Sequence, residues 1–240
     1  MCGRFTLASL REFVKGLEWV AHPEEDLFSP RYNVAPGQNV AAVTNQAGSD
    51  DAAGPATVQS LHWGLVPSWA KDVKIGYRMI NARAETLRTS NAFARALQRR
   101  RCLIPADGFY EWKAVERGLK QPHLFRRQDG RPFALAGLWE SWRDDDGHTL
   151  RSCTVITTRP NELVKQVHDR MPVILGEADY KHWLEWEDAE KLQSLLVPFP
   201  ADRMDVRRVG TAVNKPANDD ASLVEPVEDD PPPTQPSLFG

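Results

Sequence analysis

"GFYEWK", residues 108–113, sets a glutamate inside an aromatic, strand-like run. On a two-residue period Tyr110 and Trp112 share one face, and Phe109, Glu111 and Lys113 share the other. Similar short runs surround it: "QSLHWGLV" (59–66), "RCLIPA" (101–106), "HLFRR" (123–127), "FALAGLW" (133–139) and "RSCTVITT" (151–158). Turn signals such as Asp129-Gly130 and Asp146-Gly147 separate them. Many short strands with few helices between them predict an α+β fold. We expect a single domain with a curved, mostly antiparallel, β-barrel-like sheet and helices packed outside it.

Helical spacing is found in "SLREFVKGLEWV" (9–20), where Leu10, Phe13, Val14 and Leu17 align and Ser9 is a candidate N-cap. It recurs in "SNAFARALQRRR" (90–101), "NELVKQVH" (161–168) and "DYKHWLEWEDAEKLQSLL" (179–196). "TNQAGSDDAAGPAT" (44–57) reads as a surface loop. The net charge of the 240 residues is −3, but six acidic residues and no Lys or Arg fall in 216–240. The 30 Lys and Arg therefore face 27 acidic residues over 1–215, a body of +3 that tolerates a nucleic-acid partner without demanding one. The acidic, Pro-rich end has no helical period and predicts a disordered tail, 219–240, after a domain over 1–218.

Three cysteines, Cys2, Cys102 and Cys153, form no CxxC and leave an odd count, so neither a disulfide framework nor a zinc ribbon is expected. Cys102 and Cys153 lie in apolar strand runs and read as core residues. No signal-like or membrane-length apolar run occurs, which places the chain in the cytoplasm with no membrane partner. None of the six histidines has metal-ligand spacing, and neither a metal nor a cofactor is expected.

Cys2 follows Met1 directly. Loss of Met1 would place an α-amine, of pKa near ~7.7–8.0, beside a thiol. If the amine condenses with an aldehyde, the thiol can close on the same carbon, giving a five-membered thiazolidine that resists hydrolysis better than an imine. The other reading is an incidental residue on a frayed terminus.

Glu111, flanked by aromatic residues, suits a partly desolvated carboxyl poised for proton transfer; a solvated pair with Lys113 is the alternative. His168, in "VHDRMPVIL" (167–175), titrates near neutrality and reads either as a proton carrier or as a structural histidine. In "MINARAET" (79–86) Asn81 and Arg83 fall on one face, an amide that can orient an amine beside a guanidinium that can clamp phosphate. "HWGLVPSWAKDVKIGYR" (62–78) interleaves Trp69, Lys71 and Lys74 in a Pro/Gly-broken loop. That pattern fits single-stranded nucleic acid, or a surface loop with one buried Trp.

Taken in order, "MCGRF", "RYNVAPG" (31–37), "WGLVPSW" (63–69), "INARAET" (80–86), "GFYEW" (108–112), "HDRMP" (168–172) and "VGTAVNKPAND" (209–219) resemble the SRAP family, the SOS response-associated peptidases. The resemblance implies a sensor and shield of abasic sites in single-stranded DNA. In it Cys2, freed of Met1, forms a thiazolidine crosslink with the ring-opened sugar. Carried over, Cys2 is the nucleophile, Asn81 positions its amine, Glu111 is the acid/base and His168 assists ring opening. Arg4 and Arg83 match phosphate contacts, and Pro36 and Trp69 match packing against bases near the lesion. The family name adds a peptidase activity, explained as removal of the protein's own Met1, and the imine stage admits an abasic-site lyase side reaction.

The last residues, "QPSLFG" (235–240), resemble a bacterial sliding-clamp peptide, with Gln235, Leu238 and Phe239 as anchors on a tether of about 25 Å or more. An apolar chain end without a partner is the other reading. Two rival functions share parts of the pattern: an N-terminal-cysteine peptidase or amidohydrolase acting on proteins, and a non-covalent single-strand binder. A monomer is expected.

Overall fold

The structure, a computed structural model, describes residues 2–21, 27, 29–45, 56–115 and 119–227. Its strands in chain order are β1 (Phe5–Leu7), β2 (Val20–Ala21), β3 (Arg31–Val34), β4 (Asn39–Thr44), β5 (Ala56–Trp63), β6 (Asn81–Arg83) and β7 (Arg101–Ala106). They continue with β8 (Gly108–Ala114), β9 (Lys120–Arg127), β10 (Phe133–Arg143), β11 (Thr149–Thr158), β12 (Met171–Pro172), β13 (Ile174–Leu175) and β14 (Met204–Arg208). The α-helices are α1 (Leu10–Lys15), α2 (Ala94–Arg99), α3 (Tyr180–Glu185) and α4 (Ala189–Ser194).

Five strands close on themselves. β11, β10, β7, β4 and β5 pair in that order, and β5 returns to β11 through a parallel contact, Ser152↔His62 and Cys153↔Trp63. This is the barrel, with β6, β12 and β13 added at its rim. Its lining includes the buried Leu61, Trp63, Cys102, Ile104, Trp139 and Cys153. A second sheet, β14-β9-β8-β1-β3, lies against it. Phe5 meets Trp63 at 5.2 Å, and Phe109 stacks on Phe125 at 5.2 Å, so one face of this sheet joins the barrel core. The other face holds Tyr110 and Leu124 under Val209, Val213 and Leu223. Over residues 108–111 both faces are thus buried, and burying Phe109 contributes about 1.5–3 kcal/mol, while Trp112 is half-buried and Lys113 exposed.

Three local expectations change. Ser9 makes no side-chain cap on α1; the Asp107 carboxylate instead accepts from the backbone N–H of Ala8 and of Ser9. "NELVKQVH" forms only a 3₁₀ turn, Val164–Gln166. "DYKHWLEWEDAEKLQSLL" splits into α3 and α4, because Trp186 is extended and the Asp188 carboxylate accepts from the N–H groups of Glu190 and Lys191, opening a second helix.

The boundary at 218 falls too early. Asp219 accepts from Arg31 Nε at 2.6 Å and from the N–H groups of Tyr32 and Asn33. Leu223 is buried, Pro226 bridges to Val209, and Val227 N–H reaches Arg208 O at 3.0 Å. The body therefore runs through Val227, against the disorder expected from 219 onward. Acidic composition suggested solvation, but these acids meet donors on β3. Asn33 completes the attachment, its Nδ2 donating to the carbonyls of Val213, Lys215 and Asn218. Asp219→Ala removes charge-assisted bonds and leaves the buried Asn33 N–H without its acceptor, a loss of about 2–3 kcal/mol. Thermal denaturation should show a melting point roughly 5–10 °C lower; an unchanged melting point would refute this attachment. Gln235, Leu238 and Phe239 lie outside the described residues, as does most of the 44–57 loop.

Candidate active site

Strand pairing brings the chain start to the middle of the molecule. β1 pairs with β8, Phe5↔Phe109, and the ladder extends as Tyr110 N–H donates to Arg4 O at 2.9 Å. Cys2, just ahead of β1, is fully buried, and Glu111 on β8 is 2 % exposed. β6 pairs with β11 at Asn81↔Val155. From there Asn81 Nδ2 donates to Cys2 O at 2.9 Å. His168 is held by its N–H on Val164 O at 2.9 Å, and its Nε2 lies 3.8 Å from Glu111 Oε2. Four residues scattered over 166 positions of sequence thus share one site.

Burial sets the electrostatics. It pushes the Glu111 carboxyl up to about 7, with the nearby Asp169 charge adding to the rise. Burial also drives the Cys2 thiol well above its ordinary value, helped by the charge of Glu111 and opposed by a hydrogen bond from the Arg4 backbone. The thiol is therefore neutral, and a nearby base must take its proton before sulfur attacks. The His168 imidazole is lowered by burial, while Asp169 works the other way.

The histidine's second nitrogen decides its tautomer. Arg170 N–H donates to Nδ1 at 3.0 Å, so in the neutral ring Nε2 carries the hydrogen and faces Glu111. Asp169 Oδ1 is also 3.0 Å from Nδ1. An acceptor there can bond only when Nδ1 carries a hydrogen, so Nδ1 has a partner whether or not it is protonated. Arg170 is itself fixed by two bonds to the Glu85 carboxylate, at 2.7 and 2.9 Å, and by one to Thr157 O at 2.6 Å.

An open cleft of about 500 Å³ leads to these groups, lined by Arg4, Glu111, Trp112, Lys120, His168 and Asn214. Trp112 Nε1 donates to Asn214 Oδ1 at 2.7 Å. Trp112, Lys120 and Asn214 were not singled out from sequence. Trp112 lies on the face of β8 opposite Glu111, yet both border the cleft.

The remaining sequence candidates divide. Arg4 lines the cleft, but its Nη1 donates to Asn33 Oδ1 at 2.8 Å and Val213 O at 2.7 Å, and its guanidinium lies over Trp112. These contacts make it a structural tie between the chain start, β3 and the 211–214 turn. Asn81 was expected to hold the Cys2 amine; its amide nitrogen is a donor and takes the carbonyl instead. Its Oδ1 is buried with no hydrogen-bond partner among the described residues. Arg83 is exposed, two residues along β6. Pro36 is half-buried in the turn before β4. Trp69 is 58 % exposed and Lys71 and Lys74 are exposed on the 64–79 loop. That loop is pinned where Gly64 meets Gly76: a Cβ on Gly76 would lie 2.6 Å from Gly64 O. Among the described residues, the group of three possible metal ligands is Asp144, Asp146 and His148, at the β10–β11 hairpin tip.

A closed barrel with a second sheet across it, and a buried Cys2 held between Asn81, Glu111 and His168, define a protein class. The chain belongs to the SRAP family: the model described as SOS response associated peptidase (SRAP) matches residues 1–216. It is 46 % identical to the abasic site processing protein YoqW of Bacillus subtilis over 228 residues, which cover 94 % of this chain and 99 % of that one. It is 30 % identical to the abasic site processing protein YedK of Escherichia coli over 239 residues, 95 % and 100 % of the two chains. The abasic site processing protein HMCES of Xenopus tropicalis is 29 % identical over 255 residues, covering 91 % and 76 %. A crystal structure of a protein from Bacteroides thetaiotaomicron shares the fold with a TM-score of 0.81 at 24 % identity, over 95 % of this chain and all of that one. No helix among the described residues is long and apolar enough to cross a membrane.

Proposed function

We propose that this protein processes abasic sites in single-stranded DNA by capturing them covalently on Cys2 after Met1 is removed. The observation that carries the reading is Cys2 itself, buried and held through its carbonyl by Asn81, beside a carboxyl whose pKa sits near neutrality. The names of the relatives support the substrate class.

An abasic sugar is mostly a closed hemiacetal. His168, with Nε2–H toward the cleft and Glu111, moves the proton that opens the ring to the aldehyde. The freed α-amine adds to the aldehyde carbon, and the unpartnered Asn81 Oδ1 is the acceptor that orients its N–H. Glu111, about half protonated at pH 7, gives a proton to the departing oxygen, which leaves as water and produces a protonated imine. The Glu111 carboxylate then takes the thiol proton while sulfur bonds to the imine carbon, and the C=N electron pair returns to nitrogen, which keeps its hydrogen. Carboxyl and imidazole end as they began. If sulfur is slow, loss of a C2′ proton from the imine expels the 3′ phosphate, the lyase branch. Release of Met1 is a single peptide hydrolysis, which the same Glu111 can assist as a base. Pro36, Trp69, Lys71, Lys74 and Arg83 carry the strand, and Gln235, Leu238 and Phe239 tether a monomer to the sliding clamp.

The test is a denaturing gel of wild-type protein with a single strand bearing one abasic site and with the intact strand. A shifted band is expected only with the abasic strand. Binding that disappears on denaturation, or no discrimination between the strands, would overturn the reading.

A further inference from the structure

The barrel closes through only two registers between β5 and β11, Ser152↔His62 and Cys153↔Trp63. Upstream of that contact no further β5–β11 register pairs among the described residues, and a second groove of about 500 Å³ opens there. Its polar lining is Asn39, Ser60, His62, Arg143, Thr149 and Arg151. Two guanidiniums, an imidazole and neutral donors face it, and no carboxylate lines it among the described residues. The nearby Asp144 carboxylate is engaged by His148, through its N–H at 2.7 Å and Nδ1 at 3.0 Å.

The groove adjoins both base-packing elements. On one side Asn39 pairs with His62, and the Pro36 turn is tied to the next residue by Gly37 N–H to Trp63 O (2.8 Å) and Trp63 N–H to Gln38 O (2.9 Å). On the other, Trp142, the neighbour of Arg143, donates from Nε1 to Ala70 O at 2.7 Å, tying the Trp69 loop to β10. On the single-strand reading, a strand whose bases pack on Pro36 and Trp69 passes beside this groove.

We propose that the β5–β11 groove is a second phosphate-binding site, which holds the backbone of the single strand beyond the lesion through Arg143, Arg151 and His62. This rests on the single-strand reading above. Arg151 also bonds Gln59 and lies over Trp139, so its removal would disturb the barrel. Arg143 is exposed and is the residue to change.

Binding of intact single strands of about 20 and about 6 nucleotides, one beyond and one near the lower end of common single-strand site sizes, is measured by fluorescence anisotropy across salt concentrations. For Arg143→Gln on the long strand, the slope of log Kd against log salt should fall by about 0.7, the value for one lost phosphate contact on single strands. For Arg143→Gln/His62→Gln the affinity should fall further with the slope of the single variant, because burial lowers the His62 imidazole and favours its neutral form, and the 6-mer slope should stay at the wild-type value. The melting temperature should not move. An unchanged slope on the long strand, or an equal change on both lengths, would overturn the groove. Failure of wild type to crosslink an abasic strand would instead overturn the function it rests on.

Discussion

Cys2→Ala protein should give no denaturation-resistant adduct with an abasic single strand and should nick that strand more than wild type does. The substitution keeps the α-amine and removes only the sulfur. The amine still condenses with the aldehyde, and Glu111 and His168 still move protons. The imine then has two fates, hydrolysis or loss of the 3′ phosphate, where wild type has a third that removes it from both. Cleaved strand should therefore rise as stable adduct disappears, and borohydride should trap a reduced amine on the variant alone. The Cys2 side chain is fully buried. Its loss as a mere packing element would lower stability without increasing cleavage, so the two gels separate chemistry from structure. A variant that crosslinks as wild type does would remove sulfur from the reaction.

Glu111→Gln should slow adduct formation by about 10²–10⁴-fold, the usual range for a positioned acid/base, with binding to intact strand nearly unchanged. The same change should stabilise the protein, in a pH-dependent way. Burial raises the Glu111 carboxyl from 4.5 to about 7 on folding. The folded state thus binds this proton more tightly than the unfolded state. Its contribution to stability is most favourable below the unfolded value and declines as pH rises through the folded one. The difference corresponds to on the order of 3 kcal/mol at pH 8. Gln carries no such penalty, so the gain in melting temperature of Glu111→Gln over wild type should be largest near pH 8 and vanish toward pH 4. Parallel stability curves would mean that Glu111 is not held against its charge.

Much of this architecture could be read locally. A two-residue period is enough to place Phe109 and Glu111 on one face of β8 and Tyr110 on the other, and both faces were found buried. Cys2, Glu111 and His168 each admitted a structural reading when taken alone, and only the ordered motifs of the family resemblance grouped them with Asn81, whose amide the structure places on Cys2 O. The barrel closure was not, because two residues of parallel pairing between β5 and β11 leave no periodic trace in either strand. Composition misled at the C-terminal end: Asp219 looks solvated by its acidic neighbours, yet Arg31 and two backbone N–H groups 186 to 188 residues away claim it. The same limit hid Lys120 and Asn214, which reach the cleft from β9 and the 211–214 turn. In 179–196 the helical period continues through Trp186, and only the capping carboxylate of Asp188 marks the break.

The direct test is the state of the sulfur within the purified adduct. Wild-type protein is coupled to an abasic strand, denatured, treated with iodoacetamide, digested and mapped by mass spectrometry. An imine and a thiazolidine have equal mass, so alkylation distinguishes them. The expected product begins at Cys2, lacks Met1, carries the sugar remnant and takes up no alkyl group at Cys2, while Cys102 and Cys153 are alkylated. An adduct in which Cys2 is alkylated, or one attached to any other residue, would contradict capture of one carbon by both nitrogen and sulfur.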